Sequence, residues 1–159
     1  MKSGFEASNS DCVIVFPGDD IANQKIIDEM YQKFKAGADV VVASRFIPGG
    51  SMIGCPLIKS VLVRTASLSL YLLSSIPVRD ASNGFRLFSR KVLDSINIQS
   101  THGFTYSLEI LVKCNRLKWK IDEVPAEWME RKVGKSNFAL GVSGGADSLC
   151  LAYFSKLWH

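Results

Sequence analysis

CVIVF at residues 12–16 and DVVVAS at residues 39–44 decide the reading of the fold. Both are short continuous apolar runs rich in β-branched side chains, the pattern of strands covered on both faces, as in a parallel sheet. Pro17-Gly18 closes the first run. Between the two, Ile26, Ile27, Met30, Tyr31 and Phe34 recur at helical spacing, with Asn23 placed to cap that helix and Gly37 to stop it. Strand, helix, strand predicts a right-handed βαβ crossover and an α/β fold.

Working outward, residues 2–8 read as the end of a helix. Residues 46–56, with Pro48, Gly49, Gly50, Gly54 and Pro56, read as a loop. A helix follows over 58–75, then a turn over 79–86 (RDASNGFR), a new element starting at Leu87-Phe88, and a short helix over 89–96. Residues 104–117 form another helix, with Leu108, Leu111 and Val112 on its apolar side, and residues 120–124 a strand closed by Pro125. Residues 131–137 are a basic glycine-containing loop, 139–143 a short strand and 147–157 a helix. No internal repeat or low-complexity segment occurs, and no linker precedes about residue 138, so the expected domains are 1–138 and 139–159.

With 159 residues, 47% apolar and 21% charged, the chain can bury a core without disulfides or metal. The net charge of +4 is spread along the chain, too weak a bias to argue for nucleic acid but compatible with an anionic ligand or a membrane surface. Cys12, Cys55, Cys114 and Cys150 have no CxxC spacing; this usage suits a reducing, cytosolic compartment, with Cys12 and Cys114 read as small core residues. Residues 61–78 are the most membrane-like stretch. Arg64 interrupts them and Pro77 and Arg79 close them, so the uninterrupted part falls short of the ~20 residues that span a bilayer. An interfacial helix is the membrane reading and a buried core helix the alternative.

Five places carry candidate chemistry. Asp19-Asp20 follows the carboxyl end of a strand, where ligands bind in open α/β sheets, and paired carboxylates there suit Mg²⁺ or Mn²⁺; a turn with one Asp as a helix cap fits the spacing equally. Arg45 follows the second strand and suits phosphate oxygens, while Arg64 sits amid apolar sequence and needs a partner. In DASNGFR, Asp80, Asn83 and Gly84 make a turn, with Arg86 placed to pair with Asp80. Glu109 is a carboxylate on a largely apolar helix. Arg131, Lys132, Gly134, Lys135 and Ser136 form a basic loop suited to a diphosphate.

Taken in order, the Asp19 strand end, ASRFIPGG (43–50), the apolar helix with Arg64, DASNGFRLFSRKVL (80–93), GFTYSLEILVKC (103–114) and EVPAEWMERKVGKSNF (123–138) resemble one family. It is the dolichol-phosphate mannosyltransferase and polyprenyl-phosphate glycosyltransferase branch of family-two glycosyltransferases. The resemblance implies a GT-A-like fold, a partial Rossmann-like sheet flanked by helices. It implies transfer of a sugar from a nucleotide-diphosphate sugar to a polyprenyl or dolichyl phosphate, at the cytoplasmic inner face of a membrane, with peripheral membrane contact. It implies roles as well. Asp19 matches the last acid of an Asp-x-Asp metal motif, with Asp20 after it, and these bind the donor and Mg²⁺ or Mn²⁺. Pro17 replaces the motif's first acid and Ile21 a common polar residue, which weakens that metal expectation. Arg45 and Arg64 match arginines that hold the acceptor phosphate, and Asp80, Asn83 and Arg86 the turn beside it. Glu109 matches an acid below the site, and Arg131, Gly134 and Ser136 a loop closing over the donor. The family's first strand, with its nucleotide-binding turn, falls upstream of Met1. The chain alone is therefore expected to bind donor weakly and turn over little, and an unfilled sheet edge to favour self-association into a homo-oligomer.

A second resemblance covers about twenty residues. In ALGVSGGADSLC (139–150), Ser143, Gly144, Gly145, Asp147 and Ser148 are similar to the PP-loop of ATP pyrophosphatases of the tRNA-lysidine synthetase type. There, glycine amides and a helix N-terminus wrap pyrophosphate. The alternative functions are accordingly an adenylating enzyme using that loop, or a non-catalytic remnant.

Overall fold

The computed structural model describes residues 2–18, 20–100 and 105–129. Residues 10–130 form one compact unit. The helix expected at 2–8 stands as α1 (Lys2–Ala7), which lies outside that unit rather than in one domain with it. The expected boundary at 138 falls outside the described residues.

Among the described residues four strands make the central sheet: β1 (Cys12–Val15), β2 (Val40–Ser44), β4 (Arg86–Ser89) and β5 (Ile121–Pro125). Their order is β1-β4-β2-β5. β4 runs antiparallel to both β1 and β2, and β5 runs parallel to β2. The βαβ crossover expected from CVIVF and DVVVAS is present, α2 (Ile27–Lys35) joining two strands of like direction, but in a mixed sheet rather than a parallel one. β1 and β2 share a direction but are not neighbours, because the later strand β4 enters between them. The two apolar runs also differ in burial. β2 is central and buried along its whole length, whereas β1 pairs only with β4 among the described residues and is half-buried throughout. Cys12 is consequently half-buried, unlike Cys114, whose thiol burial pushes up to about 12.

A single 3-10 stretch (Ile21–Ile26) leads into α2 (Ile27–Lys35). Ile26 and Met30 from this segment pack on Val41, Ala43, Phe85, Leu87 and Val124, with Phe34 at the margin. Phe16 meets Phe85 edge to face at 5.1 Å. Asn23 is not the N-cap of α2. Its side-chain NH₂ donates to both oxygens of Asp20 (2.7 and 2.8 Å) and to the Glu127 carbonyl, and its oxygen accepts from the Glu127 N–H (2.8 Å). Buried at 2% exposure, it stitches this segment to a strand the sequence did not announce.

That strand is β6 (Glu127–Met129), which pairs in parallel with β3 (Ser51–Ile53) inside the stretch expected to be a loop. On the second face of the central sheet, period-two alternation places Arg86 and Phe88 opposite Leu87. Arg86 donates to the Ser107 carbonyl in the first turn of α5 (Thr105–Arg116), which therefore lies across that face. The short helix α4 (Arg90–Ser95) is capped by the Ser89 hydroxyl, which accepts from the Val92 N–H.

The helix α3 (Leu57–Ser74) departs most from a core element. Its buried or half-buried positions are Ser60, Val63, Ser67 and Leu70, a narrow stripe at 3-4-3 spacing, and only Ser67 is fully buried. Leu57, Ile58, Val61, Leu62, Leu68, Leu72 and Leu73 are exposed. In a soluble helix the apolar stripe faces the core; here serines share the inward stripe and the leucines face out. By length and composition alone α3 is long and apolar enough to cross a membrane.

Candidate functional site

β2 delivers Arg45 at its carboxyl end, and the turn ahead of β4 delivers Asp80. The two make a forked ion pair: Arg45 Nε donates to Asp80 Oδ2 at 2.6 Å and Nη2 to Oδ1 at 2.8 Å, while the Arg45 backbone N–H adds a third bond at 3.0 Å. Asp80 is fully buried and Arg45 nearly so. Ser82 closes the set, accepting from Arg45 Nη2 and donating to Asp80 Oδ1. From behind, Glu123 of β5 accepts from the Arg79 and Asp80 N–H groups. Asn83 locks the same turn to β2 by donating to the Ala43 carbonyl at 2.7 Å and accepting from the Phe85 N–H.

This corrects the pairing of Asp80 with Arg86 expected from the turn. Arg45 takes both Asp80 oxygens. Arg86 instead turns inward, where it is fully buried and donates to the carbonyls of Ser107 and Ala81, its Nε without a partner. Burial draws its guanidinium down from 12.5 to about 10, against the charges of Asp80, Tyr106 and Cys114, so it stays charged at neutral pH. Arg86 ties the sheet to α5 and faces no open surface.

Arg64 does find a partner. Its Cζ lies 5.3 Å from the centre of the Phe46 ring, and the Cζ of Arg45 lies 5.1 Å from the same ring. A guanidinium at that distance is attracted to the ring face. The structure thus brings Arg45 and Arg64 together, as expected, through Phe46. Beside them Phe46, Arg64, Leu68, Tyr71 and Arg79 line a cavity of about 460 Å³. Arg64, Leu68 and Tyr71 are spaced i, i+4, i+7 on α3, so one helix face forms a wall. The helical spacing was legible in the sequence. Phe46, Tyr71 and Arg79 were missed there, because nothing local says that the stretch after β2 folds back under α3.

Glu109 does not join this cavity. It anchors the segment ahead of α5, accepting from the N–H groups of Gln99 and Ser100, the Ser100 hydroxyl and Lys113 Nζ. The bond from Lys113, then those from Ser100 and Gln99, hold its carboxyl down from 4.5 to about 2. A folded-state pKa below the unfolded one stabilises above the unfolded value, and that stabilisation fades as pH falls from 4.5 toward 2. Urea midpoints measured across this range should fall less steeply for Glu109→Gln than for the wild type. Parallel profiles would show that these bonds do not discriminate between the protonation states.

Asp20 is half-buried, with both carboxylate oxygens bonded to Asn23, while Asp19, Arg131, Gly134 and Ser136 lie outside the described residues, as do Ser143, Gly144, Gly145, Asp147 and Ser148. Among the described residues no group of three or more His, Cys, Asp or Glu side chains could hold a metal ion. The single carboxylate of Asp20 does not by itself fit Mg²⁺ or Mn²⁺, which take several oxygen ligands.

No family model matches the chain. Among curated proteins, it is 28% identical over 106 residues to a polyprenol monophosphomannose synthase of Mycolicibacterium smegmatis, covering 65% of this chain and 40% of that protein. It is 28% identical over 111 residues to an undecaprenyl-phosphate mannosyltransferase of Micrococcus luteus, covering 69% and 46%. It is 24% identical over 131 residues to the glycosyltransferase AglD of Haloferax volcanii, covering 80% and 21%. The chain spans less than half the length of these relatives. Their names uphold the resemblance to polyprenyl-phosphate glycosyltransferases drawn from the motifs, and a helix-flanked α/β sheet is compatible with a GT-A-like fold.

Proposed function

We propose that the chain forms the acceptor side of a glycosyltransferase that moves a sugar from a nucleotide-diphosphate sugar to a polyprenyl phosphate. The observation that carries this is the cavity itself. It has guanidinium groups and an apolar wall of Phe46, Leu68 and Tyr71, and it opens beside a helix whose leucines face outward. An amphiphile with a phosphate head and a hydrocarbon tail has the matching chemistry. The relatives that share this sequence pattern are named for prenyl-phosphate acceptors, which supports the same reading.

In the proposed reaction an acceptor phosphate oxygen attacks the anomeric carbon, the new C–O bond forms, and the bond to the nucleoside diphosphate breaks. The attacking phosphate is already an anion at neutral pH, so no proton need be abstracted. What the protein must supply is neutralisation of two anions brought together, which oriented guanidinium groups provide. α3 would lie in the membrane interface, its leucine face among the acyl chains and its serine stripe on the protein body. On this reading the enzyme is peripheral to the cytoplasmic face of the membrane.

Vesicle flotation tests this. The full chain should bind neutral vesicles doped with a polyprenyl phosphate more tightly than vesicles of the same surface charge made with phosphatidylserine, and Leu62→Glu with Leu72→Glu should abolish both. Equal binding to the two vesicle types would mean that no prenyl-phosphate site exists. The 143–148 loop offers a rival reading, ATP-dependent adenylation, that no observation on the described residues favours.

A further inference from the structure

Among the described residues, two of the three arginines that gather around Phe46 make no guanidinium hydrogen bond or ion pair, and they are not the two that the sequence pattern selects. Arg45 is forked onto Asp80, its charge balanced and most of its donors engaged. Among the described residues Arg64 has the Phe46 ring and no ion pair. The Arg79 guanidinium makes no hydrogen bond or ion pair among the described residues; its one bond to Glu123 is from the backbone N–H. Arg64 and Arg79 arrive from separate elements, α3 and the turn before β4, and line the same cavity, with no carboxylate among the described residues of its wall. On the buried stripe of α3, next to the face that lines the cavity, the Ser67 hydroxyl has no partner among the described residues.

We propose that Arg79, together with Arg64, binds the phosphate of the acceptor, and that Arg45 is a positioning residue that holds Phe46 against Arg64. This rests on the function proposed above and names which residues of that cavity do the work. The charge balance favours it. A phosphate monoester carries about −1.5 to −2 at neutral pH, which two unpaired guanidiniums match, whereas the Arg45–Asp80 pair contributes no net charge. Planar guanidiniums also bind phosphate oxygens through paired N–H donors. Glu123 fixes the backbone from which Arg79 emerges, so its side chain starts from a defined point although its tip is exposed.

The test is titration of the full chain with farnesyl phosphate, farnesol and inorganic phosphate, followed by tryptophan fluorescence, for the wild type, Arg79→Gln, Arg79→Lys and Arg64→Gln. Arg79→Gln should weaken farnesyl phosphate binding about tenfold or more. Its farnesol affinity and melting temperature should stay at wild-type values, and Arg79→Lys should recover part of the loss. A structural role for Arg79 would lower all three ligands' affinities or the melting temperature together. If Arg64→Gln loses farnesyl phosphate and Arg79→Gln keeps it, the assignment to Arg79 is overturned while the acceptor site stands. If inorganic phosphate binds as tightly as farnesyl phosphate and Arg79→Gln weakens both, Arg79 is a phosphate ligand but the prenyl acceptor is wrong. If the wild type binds none of them, both proposals fail.

Discussion

Asp80→Asn should destabilise the unit by about 3–5 kcal/mol, the usual cost of leaving a buried charge without its partner. The substitution keeps the shape of the side chain and removes one thing, the negative charge facing the Arg45 guanidinium. Asp80 accepts from Arg45 three times and from Ser82 once, and it has no contact with solvent. An asparagine there would still accept through its oxygen, but its NH₂ would point a donor at donors. The guanidinium would have to reach for water across a nearly closed surface. Since a domain of this size has a total stability of about 5–15 kcal/mol, the loss should be plain in a urea unfolding curve. The reverse test is a double-mutant cycle with Arg45→Met, in which removing both charges should recover much of what either single change loses. An Asp80→Asn midpoint indistinguishable from wild type would mean that the pair is solvated in solution and does not hold the turn.

That pair also marks where sequence reasoning stopped. Arg45 and Asp80 both stand out in the sequence, each from its place beyond a strand or in a turn, but local pattern gives them different partners. Local pattern gives an arginine next to an aspartate six residues away, Arg86, as the nearest solution. The actual solution lies 35 residues apart and exists because β4 enters the sheet beside β2. Strand order is a non-local property. The apolar runs at 12–16 and 39–44 say that strands exist, and their alternation is the same whether a neighbour runs parallel or antiparallel. The helices read more easily because their period is internal. Those expected at 58–75 and 104–117 stand as Leu57–Ser74 and Thr105–Arg116.

The short strands β3 and β6 were illegible for a related reason. Three residues of SMI or EWM carry too little pattern to register, and each is a strand only because the other is there. Asn23 looked like a helix cap because side chains of its type bond to nearby N–H groups. It does bond to a backbone N–H, but to that of Glu127, 104 residues away. In α3 the leucines face out, so the buried-core reading of 61–78 does not hold.

Gly50→Ala should destabilise the unit by about 1–3 kcal/mol and weaken farnesyl phosphate binding as well. A Cβ built on Gly50 would stand 2.6 Å from the Ser44 carbonyl oxygen, 2.7 Å from the Arg45 carbonyl carbon and 2.8 Å from its oxygen. These are backbone atoms at the end of the central strand. They cannot rotate aside as a side-chain tip would, and β2 is held in register by β4 on one side and β5 on the other. Either Gly50 retreats, straining the bonds from its N–H to Ile47 and from Ser51 to Ala126, or Arg45 shifts. Because Arg45 is tied to Asp80 and lies on Phe46, a shift there moves the cavity wall. Gly37→Ala is the control. Gly37 has a φ of 92° and open space where a Cβ would go, so alanine there carries dihedral strain but no collision. Gly37→Ala should lower the melting temperature and leave ligand affinity alone, whereas Gly50→Ala should lower both. If the two variants behave alike, the close approach of the 46–50 segment to β2 does not set the shape of the site.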